Sequence, residues 1–154
     1  MEEKILILDF GSQYTQLIAR RVRELNIYCE IFPYNKAPKN IENFKGLILS
    51  GSPFSVHDVE APSVNLEEFK NIPILGICYG AQMVAKISGC DVLNSEIREY
   101  GRAKLNYVNN SSLILDGVKS NSDVWMSHGD SIKNNKDVLE VIASTDDVEV
   151  ASYY

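Results

Sequence analysis

In the first half of the chain the apolar positions gather into short, unbroken runs. Residues 4–9 read Lys-Ile-Leu-Ile-Leu-Asp, residues 46–49 Gly-Leu-Ile-Leu, and residues 74–77 Ile-Leu-Gly-Ile. Runs of this length without polar alternation predict strands buried on both faces, as in a parallel sheet. Residues 28–32 predict a further strand, stopped by Pro33. Leu17, Ile18, Val22 and Leu25 recur at helical spacing, with Arg20, Arg21, Arg23 and Glu24 outward, so 14–25 predicts an amphipathic helix. Phe10-Gly11-Ser12-Gln13 is the turn into it, with Ser12 placed to cap. Residues 63–70 predict a short helix, and a longer one starts near Gly80 and is ended by Gly89. Strand, helix, strand, strand, strand, helix in this order predicts a doubly wound α/β domain.

Past Gly89 the texture changes. Residues 92–97, 102–108, 113–115 and 124–126 are short apolar segments divided by Gly, Asn and Ser, and they predict strands. Residues 138–144 and 148–153 predict a hairpin that turns at Thr145-Asp146-Asp147. The expected architecture is a mixed, mainly parallel sheet with a small antiparallel extension, forming one domain over residues 1–154.

Composition narrows the functional classes. At 45% hydrophobic and 23% charged the chain is ordinary for a globular protein, and 154 residues bury a real core. A net charge of -6 argues against nucleic acid or an anionic membrane as partner. No apolar run reaches transmembrane length, and Met1-Glu2-Glu3-Lys4 followed by a strand is not a signal peptide. Three cysteines are too few and too scattered for a disulfide framework or a zinc site, so a reducing cytoplasm and no metal are expected. Cys29 alternates with apolar neighbours and Cys90 follows a glycine; both read as packing residues.

The third cysteine differs. Gly76-Ile77-Cys78-Tyr79-Gly80 is a G-x-C-x-G pattern between a predicted strand and a predicted helix, the form of a nucleophile elbow with cysteine in place of serine. A nucleophile on so sharp a turn sits in strained backbone, and the residues two before and two after it must be small; both are glycine. The N–H groups of the following helix face the sulfur and favour thiolate over thiol. The alternative is a buried structural cysteine beside a glycine-rich turn. Ligands of open α/β sheets sit beyond the carboxyl ends of the strands, which brings residues 11–13 and 50–53 beside the elbow. Ser50-Gly51-Ser52-Pro53 could aim backbone N–H groups at an oxyanion, or be a simple β-turn. Within Trp125-Met126-Ser127-His128-Gly129-Asp130, chemistry alone would make His128 the base of a cysteine nucleophile, oriented by Asp130. The alternative there is a hydrogen-bonded histidine in a strand-end turn. His57, beside Asp58, reads as solvated surface.

Five patches together resemble the class I (triad) glutamine amidotransferase domain of GMP synthases, through essentially the whole chain. They are Ile7-Leu8-Asp9-Phe10-Gly11-Ser12-Gln13 with the helix after it, Leu49-Ser50-Gly51-Ser52-Pro53, the elbow through Gln82, Arg98-Glu99-Tyr100-Gly101-Arg102-Ala103, and Val124 to Asp130. The resemblance implies that Cys78 attacks the side-chain amide of glutamine to give a γ-glutamyl thioester and ammonia. It also implies that the N–H groups of Ser52 and Tyr79 form the oxyanion hole. Such families usually carry a second glycine where Ser52 stands, but a serine supplies the same N–H. Gly51, Gln82, Ser127, His128 and Gly129 match substrate-binding positions, which makes His128 a substrate-side residue and not the base. The domain itself needs no cofactor. Ammonia would pass to an ATP-pyrophosphatase (synthetase) domain or subunit that uses ATP and Mg to adenylate xanthosine monophosphate, in a homodimeric enzyme of purine biosynthesis.

One departure is large. The family's catalytic histidine and glutamate arrive in a His-Pro-Glu motif, and residues 1–154 contain none. The expectation is a C-terminally incomplete domain, inactive alone, with its synthetase domain absent. Two other functions stay open: a non-catalytic fragment that binds glutamine, and a free-standing elbow-cysteine hydrolase such as a γ-glutamyl peptidase. The stretch from Arg98 to Arg102 is either a partner-facing surface or a solvated loop.

Overall fold

The computed structural model describes residues 3–134 and 138–154, the side chains of 95–99 excepted. The chain divides into two compact units, Met1–Val84 and Ala85–Tyr154.

The first unit is built on four parallel strands: β1 (Lys4–Asp9), β2 (Tyr28–Pro33), β3 (Phe44–Leu49) and β4 (Ile74–Gly76), in the order β2-β1-β3-β4. The apolar runs of β1 and β3 sit at its centre, where Leu6, Ile7, Leu8, Leu47 and Leu49 are fully buried. The run at residues 74–77 is not buried on both faces as expected: β4 is an edge strand, and Leu75 and Ile77 are exposed. Helix α1 (Thr15–Glu24) lays Ala19, Ile18 and Val22 on Ile7 and Cys29, with Ile5, Ile31 and Ile48 around them. Each such aliphatic side chain taken from water contributes about 1.5–3 kcal/mol. The helix stops because Asn26 turns left-handed, at φ +59°. The Asn26 and Ile27 N–H groups then donate back to Arg23 and Val22. Its start differs from the sequence reading. Ser12 does not cap the helix; its Oγ accepts from Tyr14 N–H at 3.0 Å, inside the preceding turn. Residues 63–70 supply only a 3-10 turn, Leu66–Phe69, capped by the Asn65 side chain and anchored by buried Phe69.

The second unit holds a four-stranded antiparallel sheet in the order β6-β5-β7-β8. Its strands are β5 (Asp91–Val108), β6 (Asp123–Lys133), β7 (Val141–Thr145) and β8 (Ser152–Tyr153). The segments 92–97 and 102–108 are one strand, running through Gly101 at φ +127°, a backbone geometry that glycine tolerates and other residues rarely adopt. Residues 113–115 are a 3-10 turn, with Leu113 exposed, instead of a strand. The predicted hairpin is present as β7 and β8, though β8 is only two residues long. Leu105, Val108 and Ala143 form this unit's core with Leu115, Val118, Val124 and Ala151.

Candidate active site

The elbow is tighter than its sequence alone requires. β4 ends at Gly76, helix α2 (Tyr79–Ile87) begins three residues later, and Cys78 between them has φ +53°. A left-handed conformation at a non-glycine residue costs about 1–3 kcal/mol, and it turns the side chain out of the strand line. Cys78 is exposed, whereas Cys29 and Cys90 are buried. The flanking glycines are needed for close approach. A Cβ on Gly76 would lie 2.5 Å from the Ala81 nitrogen, and one on Gly80 would lie 2.5 Å from the Leu49 carbonyl oxygen. Two hydrogen bonds lock the turn to β3, from Ile77 N–H to Leu49 at 2.9 Å and from Gly80 N–H to Ser50 at 3.1 Å. Gln82 N–H donates to the Cys78 carbonyl at 3.0 Å, so the cysteine heads the first turn of α2. There the helix's unpaired N–H groups concentrate positive partial charge. At its far end α2 closes on Gly89, at φ +95°, with Gly89 and Cys90 N–H groups donating to Lys86 and Ala85.

The loop after β3 runs directly against the nucleophile. A Cβ on Gly51 would stand 3.6 Å from the Cys78 Cβ and 3.5 Å from the Ser12 Oγ. The loops carrying Ser12, Gly51 and Cys78 are thus gathered at the carboxyl ends of β1, β3 and β4, as the sheet topology requires. Pro53 follows Ser52, and the Ser52 hydroxyl accepts the Phe54 N–H at 3.3 Å. Tyr79, next to the cysteine, is buried, and its hydroxyl donates to the Pro62 carbonyl. Burial, with the negative charge of Asp58 and the neighbouring Tyr34, raises the Tyr79 phenol above its ordinary range and keeps it a donor. Gln82 is 7% exposed, one turn into α2.

Two anchors of this site were missed in the sequence reading. Asp9 Oδ1 accepts from Gly11 N–H at 2.9 Å, Ser12 N–H at 3.2 Å and the Thr15 hydroxyl at 2.8 Å, and so organises the β1–α1 turn. An aspartate closing an apolar strand before Phe-Gly-Ser is the signal that could have found it. The second anchor is the hydroxyl of Ser50, read only as part of a loop. Nothing in the sequence shows that it is buried.

Ser127, His128 and Gly129 belong to the second unit, in the middle of β6 and not in a strand-end turn. Ser127 pairs with Tyr100 of β5. Asp123, Trp125 and Ser127 are exposed along one face, Trp125 at 80%, while Asp130 is buried. The Arg98 side chain lies outside the described residues. Arg102 is exposed and paired with Asp123, which raises its own pKa and lowers that of the Asp123 carboxyl. His57 is exposed, as expected of a surface loop. No group of three His, Cys, Asp or Glu side chains among the described residues could hold a metal ion. No helix among them is long and apolar enough to cross a membrane.

Residues 6–153 match the family model described as glutamine amidotransferase class-I. The chain belongs to the class I glutamine amidotransferases. Among its relatives, a GMP synthase (glutamine-hydrolyzing) of Cytophaga hutchinsonii is 57% identical over 99% of this chain. A protein of the same name from Bacteroides thetaiotaomicron is 56% identical over 99%. The chain spans 30% of the length of each. Among solved structures, a protein of Thermoplasma acidophilum described as one subunit of a GMP synthase superposes with a TM-score of 0.81 at 29% identity, covering 100% of this chain and 78% of that one. A glutamine amidotransferase of Thermotoga maritima gives 0.77 at 19% identity, over 100% of this chain and 72% of that one, and shares the fold. The class I amidotransferase fold expected from the sequence is therefore the one observed.

Proposed function

We propose that this amidotransferase chain is the glutaminase part of a GMP synthase. Cys78 attacks the side-chain amide of glutamine, a γ-glutamyl thioester forms, and the ammonia released serves to aminate xanthosine monophosphate. The observation that carries the reading is an exposed cysteine at φ +53° heading α2, with glycines at backbone contact on either side. The names of the relatives, at 57% and 56% identity, support glutamine as the substrate and GMP synthesis as the context. In this reading the Ser52 and Tyr79 N–H groups receive the oxyanion, and Gly51, Gln82, Ser127, His128 and Gly129 lie along the glutamine.

The reaction also moves protons. Departing ammonia must gain one and the water that opens the thioester must lose one, which calls for a positioned base beside the sulfur. His128 is assigned to the substrate and not to this task, which belongs to the histidine of a His-Pro-Glu segment. The partner is an ATP-pyrophosphatase (synthetase) part, fused or separate, where ATP and Mg act; the assembled enzyme is a cytoplasmic homodimer. The test is alkylation by a glutamine-mimicking electrophile, read by peptide mass spectrometry. Cys78 should react before Cys29 and Cys90, and added L-glutamine should slow it. Labelling of Cys78 that ignores glutamine would remove the glutaminase reading.

A further inference from the structure

Three parts of the first unit converge on Ser50, which follows β3 and has 0% exposure. Its N–H donates to the Leu8 carbonyl of β1 at 3.1 Å, and its carbonyl accepts the Gly80 N–H of α2 at 3.1 Å. Its Oγ accepts the Phe10 N–H at 3.0 Å and donates its own proton to the Gly51 carbonyl at 2.9 Å. The last bond has a chemical consequence, because the Gly51 carbonyl and the Ser52 N–H are two ends of one peptide unit. A trans peptide is planar, so these groups point in opposite directions, and holding the carbonyl fixes the direction of the N–H. Turned over, the unit would present a carbonyl lone pair where a donor is wanted, and an oxyanion there would be repelled. Among the described residues the Ser52 N–H donates to no acceptor of the protein, while the carbonyl of the same unit is held. Gly51 itself stands against Cys78, with its Cβ direction 3.6 Å from the cysteine Cβ.

We propose that Ser50 is a positioning residue for glutamine hydrolysis: its buried hydroxyl locks the Gly51–Ser52 peptide with the N–H turned to the oxyanion that forms at Cys78. The role rests on the glutaminase reading above. Ser50 touches neither glutamine nor sulfur and acts through the orientation of one peptide.

The test uses the chloroketone analogue of L-glutamine. The Cys78 sulfur displaces chloride from the carbon beside the ketone; a C–S bond forms, a C–Cl bond breaks, and the oxyanion donors polarise the ketone during the step. Saturation kinetics separate analogue binding (KI) from the alkylation step (kinact). Iodoacetamide reports the nucleophilicity of the same sulfur without needing the hole. Removing an oxyanion donor outright costs about 10²–10³-fold, so misorienting one in Ser50→Ala should lower kinact about 10-fold or more. KI and the iodoacetamide rate at Cys78 should stay within about twofold, and Ser50→Thr, which keeps the hydroxyl, should recover most of kinact. Circular dichroism and thermal melting accompany each variant. If Ser50→Ala does not fold, Ser50→Cys, which keeps the volume but hydrogen-bonds poorly, is judged by the same outcomes. An unchanged kinact, or equal loss with both reagents in a folded variant, overturns the role of Ser50 alone. Failure of the unsubstituted chain to show saturable, glutamine-protected labelling overturns the glutaminase reading and this role with it.

Discussion

Cys78 is costly in conformation and cheap in sequence: one residue at φ +53° works only because its neighbours two away have no side chain. The two glycines are not conformationally special, since neither has a positive φ; what they supply is absence of volume. At Gly80 even one methyl would meet Leu49 backbone at 2.5 Å, and backbone cannot swing aside as a flexible side chain does. Gly80→Ala and Gly76→Val are therefore expected to lose about 1–3 kcal/mol or more by overpacking. Gly129→Ala, with nothing within 4 Å of the added carbon, should leave stability nearly unchanged. Urea denaturation of the three variants checks this. Equal stability for Gly80→Ala and the unsubstituted chain would mean that β3 and α2 are not in backbone contact.

At the level of elements, the short strand β8 carries a partly buried tyrosine. Tyr153 faces Val141 across the β7–β8 pair. Burial first, then the Cys90 sulfur, push its phenol up to about 12, against a smaller opposing effect of a hydrogen bond with the Ala85 backbone. The folded value lies above the unfolded value of 10.0, so the neutral form is favoured by folding. That contribution is complete below about pH 10 and is lost as pH rises from about 10 to about 12. A shift of this size corresponds to at most about 2–3 kcal/mol. Tyr153→Phe should accordingly lose less stability than the unsubstituted chain between pH 8 and pH 11. Parallel stability curves for the two proteins over that range would show that Tyr153 does not titrate inside the fold.

For the whole molecule, the decisive measurement is turnover. Residues 1–154 contain His57 and His128 as their only histidines and no His-Pro-Glu. General acid–base help is worth about 10²–10⁴-fold, so glutaminase activity of these residues alone should lie near background. Supplying a segment that carries His-Pro-Glu should restore it. In the restored protein His128→Ala should mainly raise the glutamine KM, while replacing the supplied histidine should abolish kcat. Brisk turnover by residues 1–154 that vanishes with His128→Ala would make His128 the base and reverse its assignment.

Much of this was legible along the chain, because parallel strands and elbows are written locally. A strand buried on both faces needs an unbroken apolar run, and β1 and β3 show one; β4 carries the same kind of run at the sheet edge, with Leu75 exposed. An elbow needs glycine two before and two after its nucleophile, which is visible in five residues. Antiparallel strands carry a weaker signal: with one exposed face, β5 read as two pieces and β6 lost its second half, where Ser127 and His128 lie. Only the tertiary structure decided which oxygen meets which N–H. Ser50 is an ordinary polar residue in the sequence, and it becomes an anchor because β1 and β3 end where α2 begins. Local pattern sets how a segment folds. The donor to the buried Ser50 hydroxyl, the Phe10 N–H, comes from 40 positions away, and no local pattern encodes it.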